Sequence, residues 1–258
     1  MNPVWTIQSL LEWTQTYLKK QGLENPRIDA EILLSFVLKK KRIDLYVDFE
    51  HSVDTEALSR LKLLIQRRAN HEPLQYITGV QEFWSLPFKV GPGVFIPRPE
   101  TECLVEKSLE IFGDRSCPLS ICEIGTGSGV ISIVLAKEFP KADVHAVDIS
   151  AEALQVAREN ANAHGMLDRI SYLEGDLFSK IEPARVFDLI ISNPPYLRED
   201  QWSEMARQVR EYEPKIALFS GSDGMDMHRR IVDHAATFLK KSGRLMMEIA
   251  PQQAAPLI

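Results

Sequence analysis

The sequence predicts a doubly wound α/β fold with a mostly parallel sheet, preceded by a small helical bundle. From residue 119 onward, short apolar runs alternate with helical segments, which is the pattern of a parallel sheet covered on both faces. Before about residue 70, apolar residues instead recur at helical spacing. A chain of 258 residues also suits one core domain with a smaller partner.

Three helices are expected in the amino-terminal part, which we delimit as residues 1–75. The first carries an apolar set that begins at Ile7, the second opens at the pair Asn25-Pro26, and the third opens after Asp54. Residues 82–90 alternate as a β-hairpin does and end at a Gly-Pro-Gly turn. We therefore assign residues 76–100 to a hairpin linker and residues 101–258 to the α/β domain.

The α/β domain is expected to contain five strands with helices between them. Ser150 can cap the helix after the second strand, where Glu152 lies near the positive end of the helix dipole. The expected strands are Ser120 to Ile124, Asp143 to Asp148, Ile170 to Leu173, Phe187 to Ser192 and Arg244 to Ile249.

The composition argues against several classes of protein. No segment approaches the ~20 apolar residues that span a bilayer. The cysteines Cys103, Cys117 and Cys122 suit neither a disulfide framework nor a zinc site. A net charge of -6 argues against a nucleic acid substrate, because phosphate binding draws on lysine and arginine. These observations favour a cytoplasmic protein without a metal.

A glycine-rich turn joins the first strand of the α/β domain to its helix. The run Glu123-Ile124-Gly125-Thr126-Gly127-Ser128-Gly129 lets the backbone pass close under a ligand, because glycine has no Cβ. Val130 stands where the dinucleotide fingerprint needs its third glycine, which disfavours NAD. Taken alone, the turn could be merely a tight connection between strand and helix.

Acidic residues follow the next two strands. Asp148 closes the second strand, where a carboxylate can accept both hydroxyl protons of an adenosine ribose. After the third strand, Asp176 can accept from the adenine amino group while Leu177 packs on the ring. Each residue alone could be explained by a helix cap or a turn. Together with the glycines they lie at the carboxyl ends of adjacent strands, which predicts S-adenosylmethionine as the cofactor.

The fourth strand runs directly into Asn193-Pro194-Pro195-Tyr196. Prolines can stiffen a loop for structural reasons alone. However, the Asn193 side-chain oxygen and the Pro194 carbonyl can each accept one N–H of a substrate NH2 group, and Tyr196 can stack on a planar group. An amide nitrogen is a poor nucleophile because its lone pair is delocalised. A site that orients this lone pair toward a methyl donor therefore favours the reaction. His145, inside the second strand, is expected to be a core or edge histidine whose ring nitrogens have hydrogen-bond partners.

An Asn-Pro-Pro-aromatic loop after a Glu-x-Gly-x-Gly-x-Gly turn resembles the amino-methyltransferases that act on exocyclic nitrogens of adenine or of glutamine. Further segments sharpen the match: Pro73 to Gly79, Glu82-Phe83, Ile96 to Glu102, and Glu213-Pro214 through Gly221 to Gly224. Over roughly residues 25–250 the chain resembles the HemK-type family, the protein-glutamine methyltransferases of peptide chain release factors.

The resemblance implies a Rossmann-like class I methyltransferase. It would transfer methyl from S-adenosylmethionine to the side-chain amide nitrogen, N(5), of the glutamine in the Gly-Gly-Gln motif of class I release factors, leaving S-adenosyl-L-homocysteine. The family's helical domain helps to recognise the protein substrate. By motif, Asn193, Pro194, Pro195 and Tyr196 bind the glutamine. Phe95 and the Arg98-to-Glu102 element would line the cleft between the domains, although Arg98, Glu100 and Glu102 could each belong to a solvated ion-pair cluster. The implied cofactor set is Glu123, Gly125, Thr126, Gly127, Ser128, Gly129, Asp148, Asp176, Leu177 and Asn193.

Two related activities remain open. An adenine-N(6) DNA methyltransferase would use the same loop on a flipped base, but the acidic charge argues against it. A glutamine methyltransferase of a ribosomal protein is the other. A non-enzymatic binding module would be favoured by the loss of a glycine, Asp148 or Asn193, and all are present.

The sequence departs from the family pattern in two places. Ala250-Pro251 stand where the family has glycine, and the sequence stops at Ile258, before the final helix and antiparallel strand pair expected of the fold. The fifth strand is therefore expected to be an uncovered apolar edge.

Overall fold

The computed structural model describes residues 5–253, which divide into two compact units. One unit comprises the chain up to Gly79 together with Arg207–Tyr212, and the other comprises Val80–Ala206 and the chain from Glu213. Neither unit contains, in its described part, a helix long and apolar enough to cross a membrane.

The first unit is helical. Its helices are α1 (Ile7–Lys20), α2 (Pro26–Leu38), α3 (Arg42–Val47), α4 (Thr55–Ala69), α5 (Leu74–Thr78) and, later in the chain, α9 (Arg207–Tyr212). The three predicted helices are present, whereas α3 and α5 are too short to show a helical period in the sequence.

Caps and one buried ion pair fix the ends of these helices. Asp54 caps α4 by accepting the Ala57 N–H at 2.8 Å, while the Asn25 side chain makes no capping bond, so that α2 begins on proline geometry alone. Arg68 is buried, pairs with Asp29 at 2.7 Å and also donates to Gln208 in α9. The hydrogen bond to Gln208 joins α9 to the bundle, whose core is otherwise aliphatic.

The second unit opens with the antiparallel hairpin β1 (Val80–Phe83) and β2 (Leu86–Lys89), as predicted. The hairpin contributes Phe83 and Phe88 to the main apolar core. The remaining elements are α6 (Glu102–Phe112), β3 (Ser120–Ile124), α7 (Val130–Glu138), β4 (Asp143–Asp148), α8 (Ala151–Ala163), β5 (Ile170–Glu174), β6 (Phe187–Ser192), α10 (Asp226–Phe238) and β7 (Leu239–Met247).

Strands β3 to β7 form one parallel sheet in the order β5-β4-β3-β6-β7. Successive residues of a strand point to opposite faces, so a strand buried on both faces must be apolar throughout. In β6, Leu189 and Ile191 enter one core and Ile190 enters the other. The doubly wound fold predicted from the apolar runs is confirmed.

The last strand differs from its prediction. It was expected over Arg244 to Ile249, but β7 begins at Leu239 and ends at Met247. The polar residues Lys240 and Lys241 hid its beginning; they are exposed on a strand at the edge of the described sheet, where polar side chains are tolerated. Because β7 ends at Met247, Glu248 follows the strand instead of lying within it.

Candidate active site

The register of the sheet brings the predicted loops to one edge. Ile124 pairs with Val147 on one side and with Ser192 on the other, and Ser192 pairs with Met247. The glycine turn, Asp148, the Asn193 loop and Glu248 therefore all begin at the carboxyl edge of the parallel strands. This is the edge at which open α/β sheets bind ligands.

The glycines of the turn have two different functions. Gly125 and Gly127 have φ of +73° and +56°, and no atom lies within 4 Å of the place where a Cβ would stand. A Cβ on Gly129 would instead lie 3.0 Å from the Ala157 Cβ. The first two glycines leave open room above the turn, whereas the third lets α7 pack closely on α8.

Glu123 braces this turn from inside the protein. It is 1% exposed, and its Oε2 accepts the Thr126 hydroxyl at 2.6 Å and the Ser132 N–H at 2.9 Å. Burial raises the pKa of Glu123 to about 8. The contacts of Glu123 and of the Thr126 hydroxyl are thus internal to the turn, and a direct contact of either with a cofactor stays a prediction.

The Asp148 carboxylate is oriented by backbone N–H groups at the edge of the glycine turn. Its Oδ2 accepts the Gly127 N–H at 2.8 Å and its Oδ1 accepts the Ser150 N–H at 2.9 Å, so each oxygen keeps a lone pair for a further donor. Burial raises the pKa of Asp148. This oriented carboxylate beside the open glycines fits the ribose of an adenosine cofactor.

The residues predicted to contact adenine have partners within the protein. Asp176 accepts a hydrogen bond from Arg230 at 2.6 Å, and Leu177 packs in the core with Phe178 and Ile181. Leu177 also has φ of +49°, which is unusual for a leucine. Ser128, in the glycine turn, is buried, and its hydroxyl has no hydrogen-bond partner among residues 5–253. The cofactor contacts of these residues stay predictions.

The side chain of Asn193 is held by residues that the sequence did not single out for the site. Its Nδ2 donates to the Thr101 hydroxyl at 2.9 Å, and that hydroxyl donates to Glu248 Oε2 at 2.7 Å. Burial raises the pKa of Glu248, and the nearby Glu100 carboxylate raises it further. Thr101 lies within the Ile96-to-Glu102 motif, which gave the only signal in the sequence for this cluster.

The backbone after Asn193 is anchored by the segment that begins at Glu213. The Leu197 N–H donates to Leu218 O at 2.9 Å, and the Ser220 N–H returns to Leu197 O at 2.9 Å. The buried Gln253 amide donates to Tyr196 O at 3.0 Å and to Gly224 O at 3.1 Å. The loop is therefore fixed at both ends.

Two charged residues of the Ile96-to-Glu102 motif, Arg98 and Glu102, have separate partners. Arg98 pairs with the buried Glu213 at 2.6 Å, and its guanidinium carbon lies 4.8 Å from the centre of the Phe95 ring. Glu102 accepts the Trp84 N–H at 2.7 Å. These contacts are structural, and a contact of Phe95 with substrate stays a prediction.

His145 lies inside β4 with its ring against Phe187, at 5.5 Å between ring centres. Burial lowers the pKa of His145. The ring therefore belongs to the apolar packing, as predicted from its position in the strand. The expected hydrogen bonds are not all made, because its Nδ1 is buried and has no hydrogen-bond partner among residues 5–253.

Replacing Gly224 by alanine should test how closely the backbone packs on the Tyr196 carbonyl. Gly224 has φ of +77°, and a Cβ there would lie 2.3 Å from Tyr196 O. Gly165 is a matched control, because it has φ of +70° but no atom within 4 Å of its Cβ position. Both substitutions incur the ~1–2 kcal/mol of a left-handed backbone.

Only Gly224→Ala adds a steric clash, so its loss of unfolding free energy in urea denaturation should exceed that of Gly165→Ala by ~1 kcal/mol or more. Equal losses would contradict the close approach of the two segments.

Comparison with known proteins identifies the family. Residues 9–79 match the family described as the PrmC N-terminal domain, and residues 109–211 match the methyltransferase small domain. The release factor glutamine methyltransferase of Geobacter sulfurreducens is 44% identical over 97% of this chain and 86% of its own length. Those of Koribacter versatilis and Rhodopirellula baltica are 42% and 40% identical over 98% and 97% of this chain, and over 89% and 86% of their own lengths. This chain, with its parallel sheet and its Asn-Pro-Pro-Tyr loop, belongs to the release factor glutamine methyltransferase family.

Proposed function

We propose that this protein transfers a methyl group from S-adenosylmethionine to the side-chain amide nitrogen of a glutamine in a peptide chain release factor. The observation that carries the proposal is the orientation of Asn193. Its Nδ2 is bonded to Thr101, which leaves Oδ1 to accept from a substrate NH2 group. Asn193 and Gly125 directly follow the paired residues Ser192 and Ile124, so this acceptor stands beside the glycine turn.

Three residues are suited to hold the cofactor. Gly125 and Gly127 leave open room over the turn, and Asp148 keeps a free lone pair on each oxygen for the ribose hydroxyls. Bound in this way, S-adenosylmethionine supplies an electrophilic methyl group on a sulfonium centre.

The loop contributes positioning rather than proton transfer. Asn193 Oδ1 and the Pro194 carbonyl each accept one N–H of the glutamine amide, which turns the nitrogen lone pair toward the methyl group. Tyr196, which is half-buried, provides a flat surface for the carboxamide. The new nitrogen–carbon bond would form as the methyl–sulfur bond breaks, with S-adenosyl-L-homocysteine as the leaving group. The methylated amide nitrogen is acidic and would lose its extra proton to water, so no strong base in the protein is demanded.

The substrate is tested by incubating the purified protein with methyl-labelled S-adenosylmethionine and one of several acceptors. The acceptors are a release factor, the same factor with its Gly-Gly-Gln glutamine changed to alanine, a ribosomal-protein extract and duplex DNA. Label is expected in the release factor and should be lost in its alanine variant. Label confined to DNA or to ribosomal protein would overturn the assignment.

Asn193→Ala should lower turnover on the order of 100-fold, because it removes an acceptor that orients the reacting nitrogen. Cofactor affinity should stay within about tenfold, or ~1.4 kcal/mol. Asn162→Ala, at an exposed position of α8, is the matched control and should leave both quantities unchanged. Near-normal turnover of Asn193→Ala would remove the amide clamp from the mechanism.

Cofactor affinity should weaken as pH falls, because only ionised Asp148 can accept both ribose protons. Its pKa is raised by burial, so protonation begins at a higher pH than for an ordinary aspartate. Calorimetric titration with S-adenosyl-L-homocysteine from about pH 8 to about pH 5 measures this effect. Asp148→Asn should bind more weakly at every pH and show a flatter dependence; an identical slope in the variant would assign the effect to another group.

A further inference from the structure

We propose that Thr101 and Glu248 are positioning residues that fix which way round the Asn193 carboxamide stands. This inference rests on the proposed function, in which the Asn193 oxygen accepts a substrate N–H. Neither residue need touch the substrate for this role.

The problem arises from the shape of the side chain. An asparagine carboxamide has nearly the same outline when its oxygen and nitrogen are exchanged by rotation. In one orientation its oxygen can accept a hydrogen bond from a substrate NH2 group. In the other its own NH2 group faces the substrate NH2 group, and two donors cannot form a hydrogen bond. Asn193 can therefore serve as an acceptor only if its surroundings select the first orientation.

The selection begins at Glu248. An ionised carboxylate can only accept hydrogen bonds, so the Thr101 hydroxyl, 2.7 Å from Glu248 Oε2, must give it its single proton. The Thr101 oxygen then has only lone pairs left. At 2.9 Å it can be satisfied only by the Nδ2 of Asn193, which directs Oδ1 away from Thr101.

Glu248 also attracts the neighbouring donors directly. Burial raises the pKa of the Tyr196 hydroxyl, and the nearby Glu248 carboxylate raises it further, which keeps Tyr196 a protonated donor beside this acceptor. Thr101 is 2% exposed, which leaves little access for water to substitute for a lost partner. The chain of hydrogen bonds therefore has one direction, set by the negative charge at its end.

The backbone holds the two positioning residues in place. The Glu248 N–H donates to Ser192 O at 3.0 Å, and a ring nitrogen of His228 lies 2.9 Å from Glu248 O. Thr101 ends a 3-10 turn, Pro99–Thr101, that leads directly into α6. Glu248 is thus fixed next to the residue that precedes Asn193.

The test compares Thr101→Val, which keeps the shape but removes the hydroxyl, with Thr101→Ser, which keeps the hydroxyl. Thr101→Val should lower kcat for release factor methylation about tenfold, the size expected for one charge-assisted hydrogen bond, while the KM values stay within about threefold. Thr101→Ser should remain within about threefold of the native kcat. Equal losses in both variants, or none in Thr101→Val, would overturn the proposal.

A double variant separates positioning from general damage. If Thr101 acts through Asn193, adding Thr101→Val to Asn193→Ala should lower kcat no further. A further tenfold loss in the double variant would mean that Thr101 acts by another route.

Glu248→Gln provides an independent measurement, because a glutamine can donate as well as accept hydrogen bonds and so no longer fixes the direction of the hydrogen-bond chain. It should lower kcat several-fold with little change in KM, and a native kcat would overturn the proposal.

A structural readout keeps this inference apart from the proposed function. In NMR spectra, the Asn193 side-chain NH2 signals, identified by their loss in Asn193→Ala, should exchange slowly with solvent in the native protein and in Thr101→Ser. They should exchange faster in Thr101→Val. If the NH2 signals show these exchange rates but the protein methylates no release factor, the positioning roles stand and the proposed substrate is rejected. If exchange is unchanged in Thr101→Val, the positioning roles are rejected.

Discussion

The site depends on the parallel pairing of β3 with β6. Ile124 stands opposite Ser192, and the Ser192 hydroxyl donates to the Ile124 carbonyl at 2.7 Å, which joins the two strands at their last residues. Everything beyond this point leaves the sheet as a loop. A one-residue shift in register would exchange the two faces of a strand, and the apolar cores on both sides of the sheet oppose such a shift. The register is therefore fixed, and with it the distance between the glycine turn and Asn193.

One buried carboxylate, that of Glu123, and two half-buried ones, those of Asp148 and Glu248, then shape the loops. Glu123 holds the glycine turn, Asp148 holds the same turn and the start of α8, and Glu248 holds Thr101 and Asn193. Burial raises the pKa of each of them, because a site withdrawn from water disfavours the charged form. In return, a carboxylate accepts several donors at once and in fixed directions, which apolar packing cannot do. In these loops the carboxylates orient backbone N–H groups and, through Thr101, the carboxamide of Asn193.

The sequence predicted those parts of the molecule that depend on neighbours in the chain. The apolar runs predicted the strands, and the glycine turn and the Asn-Pro-Pro-Tyr loop were found because each is a contiguous motif at a strand end. Thr101 and Glu248 were missed because they meet through the fold: they lie 147 positions apart, and Thr101 lies 92 positions from Asn193. The apolar Ile249 extended the predicted strand beyond Met247, where β7 ends, so Glu248 was placed inside a strand rather than at the site.

The proposed clamp of Asn193 and Pro194 would recognise an NH2 group on a planar carbon, and such a group occurs in both glutamine and adenine. Its chemistry therefore accounts for the nucleophile but not for the choice between a protein and a nucleic acid substrate. The net charge of -6 disfavours the phosphate backbone. The first unit adds a helical domain, matched over residues 9–79, that the sheet does not need for its own core. Under the proposed function, selection of a whole release factor would come from surfaces other than the clamp, and the clamp would keep a simple geometry that serves any carboxamide presented to it.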